Sequence, residues 1–306
     1  MTAFTFTASD GAALATYKWE PTKTPRAVIH IAHGLAEHAG RYVRTAKALN
    51  SYGYVVYAND MRGHGQTAQA QDELGFLAES NGWQRVVLDV AEMLTAEARE
   101  HRGVPLILLG HSLGSYLAQQ VIYEHPKLLT AAILSAPNGK PSLLAQAGRV
   151  IARAERLRLG PRGRSQLINS LTFGKFNEPF APVATPFDWL SRDTAEVKLY
   201  FNDARCGFLS TTQLWVDFLD GITALANPAH KRRLQSTFPL YILAGSHDPV
   251  CAKGKGAAAL AQEYKVAGLT NVTYKLYAES RHELLNEINR QEVIADMALW
   301  LDKIVA

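Results

Sequence analysis

The chain has 306 residues, 47% hydrophobic and 20% charged, with a formal net charge of +4, an ordinary globular composition with enough chain for one large domain or a core carrying an insertion. No apolar run is long enough to span a bilayer, and the start, Met1-Thr2-Ala3-Phe4-Thr5-Phe6, lacks the basic and continuous apolar stretches of a signal peptide, so a cytoplasmic protein is expected. Two cysteines, Cys206 and Cys251, make no disulfide framework, and the basic excess is local: six arginines fall within 149–164 against Glu155 alone, which is unlike a globally basic nucleic-acid binder.

Residues 4–7 and 13–19 flank Ser9-Asp10-Gly11 and predict a hairpin. Residues 27–32 read as a buried strand ended by His33-Gly34, 42–49 as a helix and 54–58 as a further strand. Asn81 is placed to cap a helix over 83–99 that carries Trp83, Val87, Val90 and Leu94 on one face. A buried strand over 104–109 follows. The next helix carries Tyr116, Leu117, Val121 and Ile122, and a strand over 131–134 ends at Ser135-Ala136-Pro137. The alternation stops over 138–237, which is helical or irregular. It resumes with a strand at 238–244, a helix at 257–265, a strand at 272–277 and an amphipathic helix at 293–304. This pattern predicts a mostly parallel sheet with helices on both faces and a helical insertion over the strand ends.

Gly110-His111-Ser112-Leu113-Gly114 sits between a predicted strand and a predicted helix. In that context G-x-S-x-G is a nucleophile elbow with Ser112 at its apex and the Leu113 N–H at a helix N-terminus. A serine hydroxyl needs a base, and the base an orienting acid. In the chain order Ser, acid, His, Asp248 lies just beyond the strand at 238–244 and His282 just beyond the strand at 272–277. His33-Gly34-Leu35 can turn the Leu35 N–H toward the site, so Leu35 and Leu113 are the expected oxyanion donors. A histidine base predicts activity rising with pH through a limb at about 6–7.

The stretch His33-Gly34-Leu35-Ala36-Glu37-His38-Ala39-Gly40-Arg41-Tyr42 resembles the oxyanion-loop signature of monoacylglycerol lipases and bacterial lysophospholipases. Asp60-Met61-Arg62-Gly63-His64-Gly65-Gln66-Thr67 is similar to their second glycine-rich loop, the elbow matches theirs, and Asp248 with Cys251, then the His282 segment, extend the pattern over nearly the whole chain. Residues 176–180 and 187–193 resemble the bacterial lysophospholipase-like branch. The resemblance implies an α/β-hydrolase fold, with a core over 1–137 and 238–306 and a helical cap over 138–237. It implies the triad Ser112, Asp248 and His282, the donors Leu35 and Leu113, and hydrolysis of monoacylglycerols or similar single-chain lipid esters. Lysophospholipids and small carboxylic esters stand as alternatives, and a ligand-binding receptor on the same scaffold as a more distant one. The cap residues Leu143, Leu144, Leu171, Phe173, Phe176, Phe180, Phe187, Trp189, Leu209 and Trp215 provide apolar surface for an acyl chain.

Other residues read as support. His111 is expected to point away from the cleft, Asp60, Arg62 and His64 to brace a loop, Glu37 and Arg41 (i, i+4) to hold the oxyanion loop, and Cys251 to be inert. No metal-ligand spacing or dinucleotide fingerprint is present, so no metal or cofactor is expected. Arg149, Arg153 and Arg156 interleave with Val150, Ile151, Ala154 and Leu157 as a basic amphipathic helix. That helix is either a solvated face or a peripheral contact with anionic membrane surfaces.

Overall fold

Strands β3 (Ala27–Ala32), β4 (Tyr54–Asn59), β5 (Leu106–His111), β6 (Ala131–Ser135) and β7 (Leu240–Gly245) are buried at every position. That is why their sequences run apolar instead of alternating: both faces of the sheet are covered. The computed structural model describes residues 1–141 and 143–305, the side chains of Leu143, Leu144 and Ala145 excepted. The expectation that Leu143 and Leu144 contribute apolar surface therefore falls outside the described side chains.

With β1 (Thr2–Thr7), β2 (Ala13–Trp19) and β8 (Val272–Tyr277), these strands form one eight-stranded sheet in the order β1-β2-β4-β3-β5-β6-β7-β8. The first two pairings are antiparallel and the rest parallel. Alternate residues of each strand feed two cores. Val28, Val55, Leu106 and Leu108 pack with α2 (Gly82–Glu100) and α3 (Leu113–Glu124), whereas Ile29, Val56, Ile107 and Leu109 pack with α1 (Val43–Ser51) and α10 (Arg290–Asp302). From β3 the chain moves outward to β4, and from β5 it moves the other way to β6. The loop after β3 and the elbow after β5 thus flank the switch point where ligands of open parallel sheets bind.

Between β6 and β7 lie α4 (Leu143–Leu159), α5 (Gln166–Thr172), α6 (Thr194–Asn202), α7 (Thr212–Leu225) and the short α8 (Pro228–Lys231), with no strand among the described residues there. A last helix, α9 (Lys255–Val266), joins β7 to β8. Helix α2 begins where expected, but Asn81 makes no side-chain cap and takes a left-handed backbone, φ 53°. Helix α7 instead brings the Asp217 carboxylate against Gly82, the first residue of α2. The Asp217 Oδ1 accepts from Gln213 Nε2 at 3.0 Å, while its Oδ2 is buried without a partner.

Burial raises the pKa of Asp217 to about 6. A raised acid pKa means that the folded state holds the proton more tightly than the unfolded one. The folded state therefore carries no penalty at low pH and a growing one as pH rises from the unfolded value through about 6. Asp217→Asn should stabilise the protein by about 1–2 kcal/mol at neutral pH and by progressively less toward pH 4. Melting temperatures across that range check it; a gain independent of pH would contradict the assignment.

Candidate active site

The elbow is built by close approach. A Cβ at Gly114 would drive into the carbonyl oxygen of Ala32, so only glycine lets α3 start so near β3. At the apex Ser112 has φ 50° and ψ −116°, a strained conformation for a residue with a side chain. Its backbone is held by Ser112 N–H donating to Ser135 O (3.0 Å) and by Ser115, whose N–H (2.9 Å) and Oγ (2.6 Å) both donate to Ser112 O. Strand β5 continues to His111, two residues past its predicted end, so the elbow turns directly off the sheet.

Asp248 and His282 lie on the loops after β7 and β8. A side chain at Gly245 would collide with the carbonyls of Ser280 and Arg281, and this closeness is what brings Asp248 and His282 together. His282 Nδ1–H donates to Asp248 Oδ2 at 3.0 Å, with both side chains buried. Asp248 Oδ1 accepts from Val250 N–H (2.8 Å) and Oδ2 also from Cys251 Sγ (3.1 Å). Burial works to discharge His282. The Asp248 charge and hydrogen bond outweigh it, with Glu283 and Glu37 adding, so the imidazole titrates above its usual value. Burial likewise opposes charge on Asp248, yet His282 and three donated bonds hold its carboxyl below the usual range. Cys251 is fully buried and its thiol is pushed far up, first by burial and then by the Asp248 charge, in keeping with an inert residue.

The loop after β3 lies beside the serine: a Cβ on Gly34 would be 3.4 Å from Ser112 Cβ and 3.2 Å from the His111 ring. Among the described residues, neither the Leu35 N–H nor the Leu113 N–H has a hydrogen-bond acceptor. No hydrogen bond joins Ser112 Oγ to His282 among the described residues, and contacts of this kind tighten when substrate binds.

The supporting residues behave largely as expected. Glu37 Oε1 accepts from Gly34 N–H (2.5 Å) and Tyr42 OH (2.8 Å), and Oε2 from Arg41 (2.8 Å). Arg41 also forks onto both oxygens of Glu283, the residue after His282, at 2.5 and 2.7 Å. This buried bridge spans the chain, and no local spacing announces it. Asp60 takes Ala39 N–H (2.8 Å), Gln66 N–H (2.7 Å) and Tyr17 OH (3.1 Å), and Arg62 forks onto Asp89. His33 donates from Nδ1 to Gly34 O (2.8 Å) and accepts Met61 N–H at Nε2 (3.0 Å), which specifies a neutral tautomer. Burial agrees, lowering its pKa to about 4.

His111 is buried beneath the site. Its ring packs 4.9 Å from that of His282 and its Nδ1 lies 3.2 Å from Ser135 Oγ, with burial holding its pKa down to about 4. Trp189, read only as apolar surface, also lies against His282, at 5.2 Å between ring centroids. Phe173, Phe176, Phe180 and Phe187 cluster with Trp189, whereas Leu171 is half-exposed. His38, Asp203 and Cys206 bring ligand-type atoms within 4.8 Å of one another. His38 Nδ1, however, accepts from Gly40 N–H (3.2 Å), which leaves Nε2 protonated and donating to Asp203 Oδ2 (2.9 Å). The trio is arranged as a hydrogen-bonded tie, not as a metal ligand set.

An elbow serine and a hydrogen-bonded carboxylate–imidazole pair at the carboxyl ends of a parallel sheet have the arrangement of an α/β-hydrolase of the serine type. Comparison with known proteins agrees: residues 23–289 match the family model described as serine aminopeptidase, S33, and the chain belongs to that family. It is 28% identical over 306 residues to the monoglyceride lipase of Mus musculus, covering 97% of this chain and 89% of the mouse protein. It is 27% identical over 292 residues to the monoacylglycerol lipase of Mycolicibacterium smegmatis, covering 92% and 90%. A thermostable carboxyl esterase from Bacillus coagulans, solved in complex with glycerol, superposes with a TM-score of 0.91 at 23% identity, covering 100% of this chain and 99% of the other, a likeness of fold. The chain is a monoacylglycerol lipase-like serine hydrolase, a carboxylic ester hydrolase by class.

Proposed function

We propose that Ser112 attacks the carbonyl of a single-chain lipid ester, a monoacylglycerol in the first instance, under a cap formed by residues 138–237. The observation that carries this reading is the His282–Asp248 pair beside an elbow serine with two acceptor-free amides. His282 takes the Ser112 proton at Nε2 as the Oγ–carbonyl bond forms. The oxyanion accepts from the Leu35 and Leu113 N–H groups, each worth roughly 3–4 kcal/mol of transition-state stabilisation. His282 then protonates the leaving alcohol. Water, deprotonated by the same nitrogen, attacks the acyl-enzyme; as the Oγ–acyl bond breaks, His282 returns that proton to Ser112 Oγ and the carboxylic acid is released, while Asp248 keeps Nδ1 protonated throughout.

A panel of monoacylglycerols, lysophospholipids and small esters with short to long acyl chains tests the substrate. The highest kcat/KM is expected on a monoacylglycerol. Faster cleavage of lysophospholipids would move the assignment to that class, and a chain that cleaves no ester and takes no fluorophosphonate label would be a receptor.

A second reading concerns where the substrate is met. No helix among the described residues is long and apolar enough to cross a membrane, but α4 exposes Val150 (70%) and Leu157 (85%), two turns apart, and α5 exposes Leu167 and Leu171. Ile151 and Ala152 face inward instead. Arg149 and Arg153 share Asp220, at 2.8 and 2.6 Å, and Arg156 bonds Gln213. We propose peripheral contact with lipid surfaces in which the apolar residues contribute most and Arg149, Arg153 and Arg156 add a salt-dependent part. An intracellular setting fits two buried, unpaired thiols. Cosedimentation with anionic vesicles should fall strongly in Val150→Asp/Leu157→Asp, and only at low salt in Arg149→Ala/Arg153→Ala/Arg156→Ala. Binding unaffected by either set would remove this reading.

A further inference from the structure

The loop that carries His282 is gripped on both sides of the histidine by the segment between β6 and β7. Arg281 donates to the carbonyls of Asp188 (2.5 Å) and Ser191 (3.2 Å), and Glu283 N–H donates to Leu190 O (2.8 Å). The chain neighbours of His282 are thus bonded to the residues around Trp189. Farther along, Arg192 Nε pairs with Glu287 Oε2 at 3.0 Å, and Glu287 Oε1 takes Arg281 N–H at 2.8 Å. The consequence is local and specific: the Trp189 indole lies 5.2 Å from the imidazole of His282, tilted by 42°. The indole is only 6% exposed. It is backed by Phe176 at 5.0 Å and Phe173 at 6.1 Å, and its own N–H on the backbone donates to Asn177 Oδ1 at 2.8 Å.

We propose that Trp189 is a positioning residue for His282, holding the plane of the imidazole and favouring its protonated form during acyl transfer. This rests on His282 being the base, as proposed above. The physical ground is the negative face of the indole, which attracts a cation within ~6 Å of its centre. An imidazolium forms each time His282 accepts the Ser112 proton, so an indole at this distance stabilises the transition state more than the resting enzyme. It acts on turnover, not on substrate affinity.

Other groups act on the same imidazole. Asp248 bonds it from the β7 loop, with Cys251 behind. Glu283 on its own loop and Glu37 on the β3 loop add negative charge, and Arg41, joined to both glutamates, offsets part of it. His111 on β5 would oppose the imidazolium if charged, but burial keeps it neutral down to about pH 4. Trp189 is the aromatic contribution from the β6–β7 segment, and it is separable from these charges because replacing it changes no formal charge.

The test is the pH dependence of kcat/KM on a short, soluble ester for the wild type, Trp189→Phe and Trp189→Leu, with thermal melts and a histidine NMR titration of each. Trp189→Leu should lower the acid limb, and the His282 titration with it, by about half a unit. It should cut kcat about tenfold with KM nearly unchanged. Trp189→Phe, which keeps a π face, should fall between the two. Should Trp189→Leu unfold, the Trp189→Phe shift alone decides, since a ring of the same sign but weaker face must still move the limb downward. An unchanged limb and kcat in folded variants would overturn the proposal, and so would a loss confined to KM. His282→Ala, run alongside, separates the two levels: if it retains activity, the base assignment itself is wrong, whereas an inactive His282→Ala beside a normal Trp189→Leu rejects the role of Trp189 alone.

Discussion

Ser112→Ala is expected to lower kcat on a soluble ester by about 10⁵–10⁶-fold and to abolish fluorophosphonate labelling, with the fold intact. The structure separates the two effects cleanly. Ser112 Oγ makes no hydrogen bond among the described residues, and the bonds that hold the elbow run through the backbone of Ser112 and the side chain of Ser115. Deleting the hydroxyl therefore removes the proposed nucleophile without removing a structural contact. The Leu35 and Leu113 amides remain, so residual activity should reflect oxyanion binding and substrate orientation only. A melt within a few degrees of wild type, together with the loss of turnover, is the expected pair of results. Substantial turnover by a folded Ser112→Ala protein would mean that another group carries the chemistry.

The second large effect belongs to Asp248→Asn, at about 10⁴-fold in kcat. Its cause can be read from the donors around the carboxylate. Val250 N–H points at Oδ1, so an asparagine would keep its carbonyl oxygen there and turn its amide nitrogen to the position of Oδ2, facing His282 Nδ1. Two donors would then oppose each other. The imidazole resolves the conflict by moving its proton to Nε2, the atom that accepts from Ser112 in the proposed reaction. The same substitution removes the charge that lifts the His282 pKa and leaves burial to lower it. The wild-type acid limb should therefore lie above the ordinary histidine value of 6.5. In Asp248→Asn the residual activity should begin to rise at lower pH. Asp248→Ala, which offers no competing donor, should retain more activity than Asp248→Asn if the tautomer is the dominant loss.

Much of the sheet was legible because a strand buried on both faces is a short apolar run, and five such runs punctuated by turns leave little choice of fold. The elbow was legible because its glycines answer a steric demand that is local in sequence. The placement of Asp248 and His282 was legible, each in the loop following a strand. What was not legible depends on contacts that cross the chain. Arg41 and Glu37 are spaced for a helix turn, but nothing near Glu283 announces that Arg41 will fork onto it. Gly245 ends β7, and nothing in the sequence shows that the loop of His282 passes directly over it. Asn81 had the composition of a cap, yet its left-handed backbone turns it from that role. Trp189 and His111 carried no signal of their neighbourhood, since an aromatic in a variable segment and a histidine beside a nucleophile are each common without one.

The ties between the β6–β7 segment and the sheet are unevenly distributed. Residues after 186 are fastened repeatedly: Leu190 to Glu283, Arg192 to Glu287, Tyr200 and Gly207 to the carbonyl of Ala36, and Asp203 to His38. Helix α4, by contrast, rests chiefly on α7 and α5. The two flanks of this segment are therefore anchored differently: residues after 186 hold the loops that carry His282 and Ala36, whereas the α4–α5 flank rests on neighbouring helices and, through Arg162 and Arg164, on residues 71–79.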